Sequence, residues 1–221
     1  DEYAETTDEA KRLELTKKIN EESIEAAKYA TVEDFFVLLD GIGATGVNAG
    51  TSYDMTVYYN SFPEASMYKW LTIFSDRLID PVYRTFQAEL ENVFEEYNMY
   101  EDNPNTHVRN ELMKKLYAGH PYERDVIGLP EHLKNPRLSK LIEFYNTWYV
   151  PNNMALIIVG DFDTETTKPM IEETFGRLEY KELPARPTYA KTSFTGNPKH
   201  KFKMGYYPMV IWAYDGVNMT N

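Results

Sequence analysis

Apolar and polar positions alternate along this chain in blocks whose period switches between helical and extended. Residues Thr6 to Ala30 predict an exposed helix: Thr6 with Glu9 three residues on has the pattern of a capping box, and Leu13, Leu15, Ile19, Ile24 and Ala27 form a thin stripe among charges. A second cap at Thr31, with Asp34 at the third helical position, opens a short helix carrying Phe35, Phe36, Leu38 and Leu39, which Gly41, Gly43 and Gly46 end. From Val47 to Tyr59 two β-prone runs flank Tyr53-Asp54 and predict a hairpin. Pro63 then starts a helix in which Met67, Trp70, Leu71, Phe74 and Leu78 recur on one face, and Asp80-Pro81 stops it.

A further helix is expected from about Tyr83 to Glu101, ending before Asn103-Pro104, and another from His107 to Tyr117. The turn-rich stretch from Gly119 to Pro136 reads as a loop, and 138–149 as a helix. Met154 to Val159 is a continuous apolar run of the kind buried on both faces of a sheet. Thr164 is the expected N-cap of a helix ending near Gly176. Pro184, Pro187, Gly196 and Pro198 mark a meandering connection to a last strand-like run, Met209 to Tyr214. These elements predict an α+β fold: a mostly antiparallel sheet with helices packed on one side.

Composition narrows the function. With 221 residues, 43% hydrophobic and 14% aromatic, the chain can build a real core. The formal charge of −12 repels phosphate backbones, so no nucleic acid is expected as a partner. Cysteine is absent, which removes disulfides, thiolate nucleophiles and Cys-ligated zinc; any metal must use His, Asp or Glu. No apolar stretch approaches the roughly 20 residues of a membrane-crossing helix, so no span is expected. The chain opens on Asp1-Glu2-Tyr3 with no readable targeting signal.

Candidate chemistry concentrates in residues 88–97. Leu90, Val93, Phe94 and Tyr97 form the apolar stripe of that helix, and Glu89 and Glu96, about two turns apart, lie on its border, whereas Glu91 and Glu95 face away. Carboxylates there must find water, a cation, hydrogen-bond donors or a metal. His107, His120, His132 and His200 are too dispersed to form a metal-binding His-x-x-x-His pair. There is no Gly-x-Ser-x-Gly elbow and no glycine-rich phosphate loop with its lysine.

Several segments in order resemble the insulinase/pitrilysin-type zinc metallopeptidases, a family marked by an inverted His-x-x-Glu-His motif. They are Gly43 to Ser52, Thr56 to Tyr59, Glu89 to Glu96, Gly119-His120-Pro121-Tyr122, Ile127-Gly128, Phe144 to Met154 and Val159 to Asp163. The resemblance implies that the residues belong to one peptidase-family domain, with 1–33 a helical lead-in or insertion, 34–136 a first part and 137–221 a second. It implies a zinc endopeptidase that splits peptide bonds with metal-activated water. Two histidines of the motif and a downstream glutamate hold the Zn2+; by position Glu96 corresponds to that glutamate, and Glu89 to an auxiliary acid that would orient the site. The run from Val47 to Thr51 resembles the edge strand that pairs with substrate through its main chain, with Asn48, Ala49 and Thr51 as substrate-binding residues. Gly50 stands where the family carries a bulkier residue.

The motif itself is absent from these residues, so the resemblance further implies a domain whose early strand, motif helix and two histidine ligands are cut away, inactive in this form. Peptide or protein substrates and a second, homologous half of the whole protein are the implied partners, and the bacterial periplasm or cell envelope the implied compartment. The alternative is a non-catalytic relative that holds peptides or scaffolds a partner subunit.

Overall fold

The computed structural model describes residues 1–29, 33–190, 198–203 and 208–214. Within them the expected α+β class is found, as a mostly helical structure with one antiparallel pair of strands. The helices in chain order are α1 (Glu2–Glu5), α2 (Glu9–Ala26), α3 (Glu33–Gly41), α4 (Met67–Ile79), α5 (Phe86–Glu101), α6 (Pro104–Leu116), α7 (Pro130–Lys134), α8 (Leu138–Trp148) and α9 (Thr164–Thr174). The strands β1 (Thr45–Thr51) and β2 (Thr56–Ser61) form the predicted hairpin, pairing Asn48 with Tyr59, Ala49 with Tyr58, Gly50 with Val57 and Thr51 with Thr56.

Several boundaries move for local reasons. Asp8, not Thr6, caps α2: its Oδ1 accepts from the Ala10 and Lys11 amides at 2.9 and 3.1 Å, while Thr6 ends the preceding helix. The cap expected at Thr31 lies outside the described residues. Asn103 caps α6 and Pro104 opens it, three residues before the expected start, because a proline is preorganised for the first helical position. Pro130 does the same for α7, a short helix inside the stretch read as loop. Asp163, one residue ahead of Thr164, caps α9 by accepting from the Thr166 amide at 2.8 Å.

The largest change concerns Met154 to Val159. This run forms no strand and pairs with none among the described residues, and Ile157 and Val159 are 79% and 91% exposed. Only Ile158 packs on the core. The helical layer of α4 and α9 thus covers one side chain of the run and leaves the others to solvent. Met209 to Tyr214 likewise lies exposed and unpaired among the described residues.

That core is built on α4. Met67, Trp70 and Leu71 are buried as the helical spacing predicts, with Ile42 and Phe62 from the flanks of the hairpin and Met170, Ile171 and Phe175 from α9 and its end packed around them. Arg177 ties the two helices further, reaching Ser75 Oγ at 3.1 Å and Asp76. Gly43, at φ 77°, turns the chain from α3 into β1; a Cβ there would sit 3.2 Å from the Pro63 ring.

One polar contact fastens the hairpin to this core: the Trp70 indole N–H donates to Asn60 Oδ1 at 2.8 Å. Asn60→Ala is expected to lower stability by about 1 kcal/mol by leaving a largely buried N–H without its acceptor. Urea unfolding of the two proteins measures this, and coincident curves would mean that the contact contributes nothing.

Candidate functional site

Helix α5 is amphipathic as its spacing requires. Leu90, Val93, Phe94 and Tyr97 are its half-buried stripe, and no residue of the helix is fully buried. Glu89 and Glu96 are both exposed, as are Glu91 and Glu95. Glu96 Oε1 accepts a hydrogen bond from the Tyr100 hydroxyl one turn on, at 3.1 Å, and this bond raises the phenol above its ordinary pKa. Neither Glu89 nor Glu96 forms an ion pair among the described residues.

On β1, Asn48, Ala49 and Thr51 are exposed. Asn48 turns its Oδ1 onto the next amide, that of Ala49, at 2.8 Å, and Thr51 Oγ1 lies 3.4 Å from Thr56 Oγ1 across the hairpin. The strand pairs on one side only among the described residues, so its second edge presents main-chain N–H and C=O groups. No hydrogen bond or ion pair links Asn48, Ala49 or Thr51 to Glu89 or Glu96 among those residues.

The histidines stay apart. The His107 ring lies 2.6 Å from the Glu101 carbonyl, His120 accepts from the Tyr122 amide through Nδ1, and His132 and His200 are exposed. Among the described residues, no group of three or more His, Cys, Asp or Glu could hold a metal ion.

Composition counts tyrosines but does not say where they meet. The Tyr58 and Tyr149 hydroxyls are 2.9 Å apart, which ties β2 to the end of α8. Burial first, then that bond, drives the Tyr58 phenol well above its ordinary range. Tyr149 stacks on Tyr145 at 4.4 Å; Tyr145, pushed up to about 12 chiefly by burial, donates to the Leu78 carbonyl at 2.8 Å. Tyr83 adjoins this group, its hydroxyl shut away from solvent and without a partner among the described residues. With their phenols raised by burial, Tyr58, Tyr83 and Tyr145 stay neutral at physiological pH and pack behind the hairpin. Tyr149 falls within one of the segments that carry the family resemblance, but no periodicity pairs it with Tyr58, 91 residues away.

Comparison with known proteins bears on the same surfaces. The profile described as Insulinase (Peptidase family M16) matches residues 23–129, and one described as Peptidase M16 inactive domain matches 137–221. A protein of Bacillus subtilis, the uncharacterized zinc protease YmfH, is 32% identical over 139 residues, 62% of this chain and 32% of its own length. The probable zinc protease PqqL of Escherichia coli is 30% identical over 139 residues, 60% of this chain and 15% of its own. The crystal structure of a protease from Helicobacter pylori superposes with a TM-score of 0.64 at 25% identity, over 71% of this chain and 38% of that one. The chain thus spans about a third or less of the length of these curated relatives. No helix among the described residues is long and apolar enough to cross a membrane.

Proposed function

This chain belongs to the insulinase family of peptidases, M16, and from that premise we propose that the whole protein is a zinc-dependent endopeptidase to which these residues contribute a substrate-holding strand and one metal-binding carboxylate. The observation that carries the reading is the helix α5, on which Glu89 and Glu96 stand about two turns apart, exposed and free of ion pairs among the described residues, within the stretch 23–129 that the insulinase profile matches.

The fit to zinc is partial. A catalytic zinc takes three protein ligands. The described residues offer no such group, and Glu96 has only the Tyr100 hydroxyl beside it. These residues by themselves therefore do not make a zinc site. In this proposal Glu96 is one ligand and Glu89 a neighbour that orients it, while the remaining ligands come from elsewhere in the whole protein. What the chain does unaided is hold an extended peptide. The open edge of β1 offers alternating donors and acceptors, and Asn48, Ala49 and Thr51 line the path. The substrate is then a peptide or an unfolded stretch of protein, a second homologous half closes over it, and this chain alone turns nothing over. PqqL is described as a periplasmic protease, and the same compartment is proposed here.

A second reading, a peptide-holding subunit without catalysis, draws on the match of 137–221 to a domain described as inactive. One experiment separates the two. The complete protein is expected to cleave unstructured peptides, to lose that activity with 1,10-phenanthroline, and to regain it on addition of zinc. Cleavage indifferent to the chelator would defeat the zinc proposal, and saturable peptide binding without any cleavage would establish the second reading.

A further inference from the structure

The tip of the hairpin is docked onto the loop leading into α7. Tyr53 stacks on Tyr122 with ring centroids 4.5 Å apart, and the Tyr122 hydroxyl donates to Asp54 Oδ2. Between tip and loop lies a cleft of about 230 Å³ whose walls include Thr51, Tyr53, Arg124, Val126, Leu129 and His132. Because Thr51 is the last residue of β1, the cleft begins where the strand edge stops.

The charge of this cleft is one-sided. Arg124 is exposed, and its guanidinium makes no ion pair or hydrogen bond among the described residues. The one carboxylate on the wall, Asp125, is engaged elsewhere: it binds Arg109 at 2.6 Å, and its other oxygen accepts from the Val126 amide at 2.7 Å. Glu101, Glu111, Glu123 and Glu131 line the adjoining cleft, which shares Arg124, and none forms an ion pair with it among the described residues; Glu123 accepts from the Gly119 amide at 2.9 Å. Arg124 is thus the one arginine on this wall, and it has no ion pair among the described residues.

We propose that this cleft is a specificity subsite that takes an aspartate or glutamate side chain of a peptide lying along β1. A strand advances about 3.3 Å per residue, so a peptide paired with β1 and continuing past Thr51 delivers its next side chains there. The Tyr53, Val126 and Leu129 surfaces accept the methylene stem, and the planar guanidinium matches a carboxylate with two parallel hydrogen bonds. A lysine at the same place meets Arg124 as a like charge, so the site selects by repulsion as well as attraction. The proposal rests on the reading of β1 as the peptide-holding edge.

The test uses the complete protein and a set of peptides identical except for Glu, Gln or Lys, placed in turn at each position. At one position the wild type is expected to favour Glu over Lys by about fivefold in kcat/KM, the scale of a solvent-exposed ion pair, and 0.5 M salt should narrow the gap. Arg124→Glu should invert the preference at that position only. An unchanged Glu-to-Lys ratio in Arg124→Glu, with cleavage still proceeding, overturns the subsite. If no peptide is cleaved, the peptidase reading fails instead, and the same series measured as dissociation constants by fluorescence anisotropy still decides whether Arg124 selects acidic peptides.

Discussion

Glu96→Ala in the complete protein is expected to reduce kcat/KM for peptide hydrolysis by more than about a hundredfold while leaving the fold intact. Loss of a residue that merely supports a metal ligand costs roughly 10- to 100-fold, and loss of a ligand should exceed that. The structure makes the experiment clean. Glu96 is exposed and its single hydrogen-bond partner among the described residues is Tyr100, so its removal exposes no buried group. Tyr100→Phe is the control, since it deletes that bond and keeps the carboxylate; its activity should stay near wild type. Glu89→Gln, one step removed from the metal, should fall in the 10- to 100-fold range. A wild-type rate in Glu96→Ala would sink the assignment. So would calorimetry on this chain showing stoichiometric, submicromolar zinc binding that survives Glu96→Ala, because the metal would then have its ligands elsewhere in these residues.

The second large effect is structural. Trp70→Ala should destabilise the chain by about 3–5 kcal/mol, the range for deleting a large aromatic from a core. Trp70 is 8% exposed, stacks on Phe62 with ring centroids 4.7 Å apart and planes 14° apart, and meets Phe74 at 4.6 Å with the rings tilted by 32°. Its deletion opens a cavity between the hairpin and α4 and strands the Asn60 amide. Trp70→Phe keeps ring packing and loses the N–H, so it should fall between Asn60→Ala and Trp70→Ala. Urea unfolding gives all three values. A loss below 1 kcal/mol for Trp70→Ala would mean that the cluster around α4 does not hold the hairpin.

These two residues show unequal legibility. Trp70 was readable because Met67, Trp70, Leu71 and Phe74 repeat at helical spacing, and that period is enforced by the backbone whatever the rest of the chain does. The half-buried stripe of Leu90, Val93, Phe94 and Tyr97 was readable for the same reason, whereas the role proposed for Glu89 and Glu96 comes only with the resemblance. The Met154 to Val159 run misled because an apolar stretch records a tendency to be covered without recording what covers it. The caps expected at Thr6 and Thr164 moved to Asp8 and Asp163 because neighbouring polar side chains compete for the same free amides.

The sequence by itself determined the periods, the hairpin, the core face of α4, the acidic charge and the family, since each is written in residue types at fixed local spacing. Only the tertiary structure decided that Tyr58 meets Tyr149, that Tyr53 and Asp54 dock on Tyr122, and that Arg124 stands on the wall of a cleft without an ion pair among the described residues. Those contacts join residues tens of positions apart along the chain. Where such segments cross is fixed by how helices and hairpin pack together, and no local period carries that information.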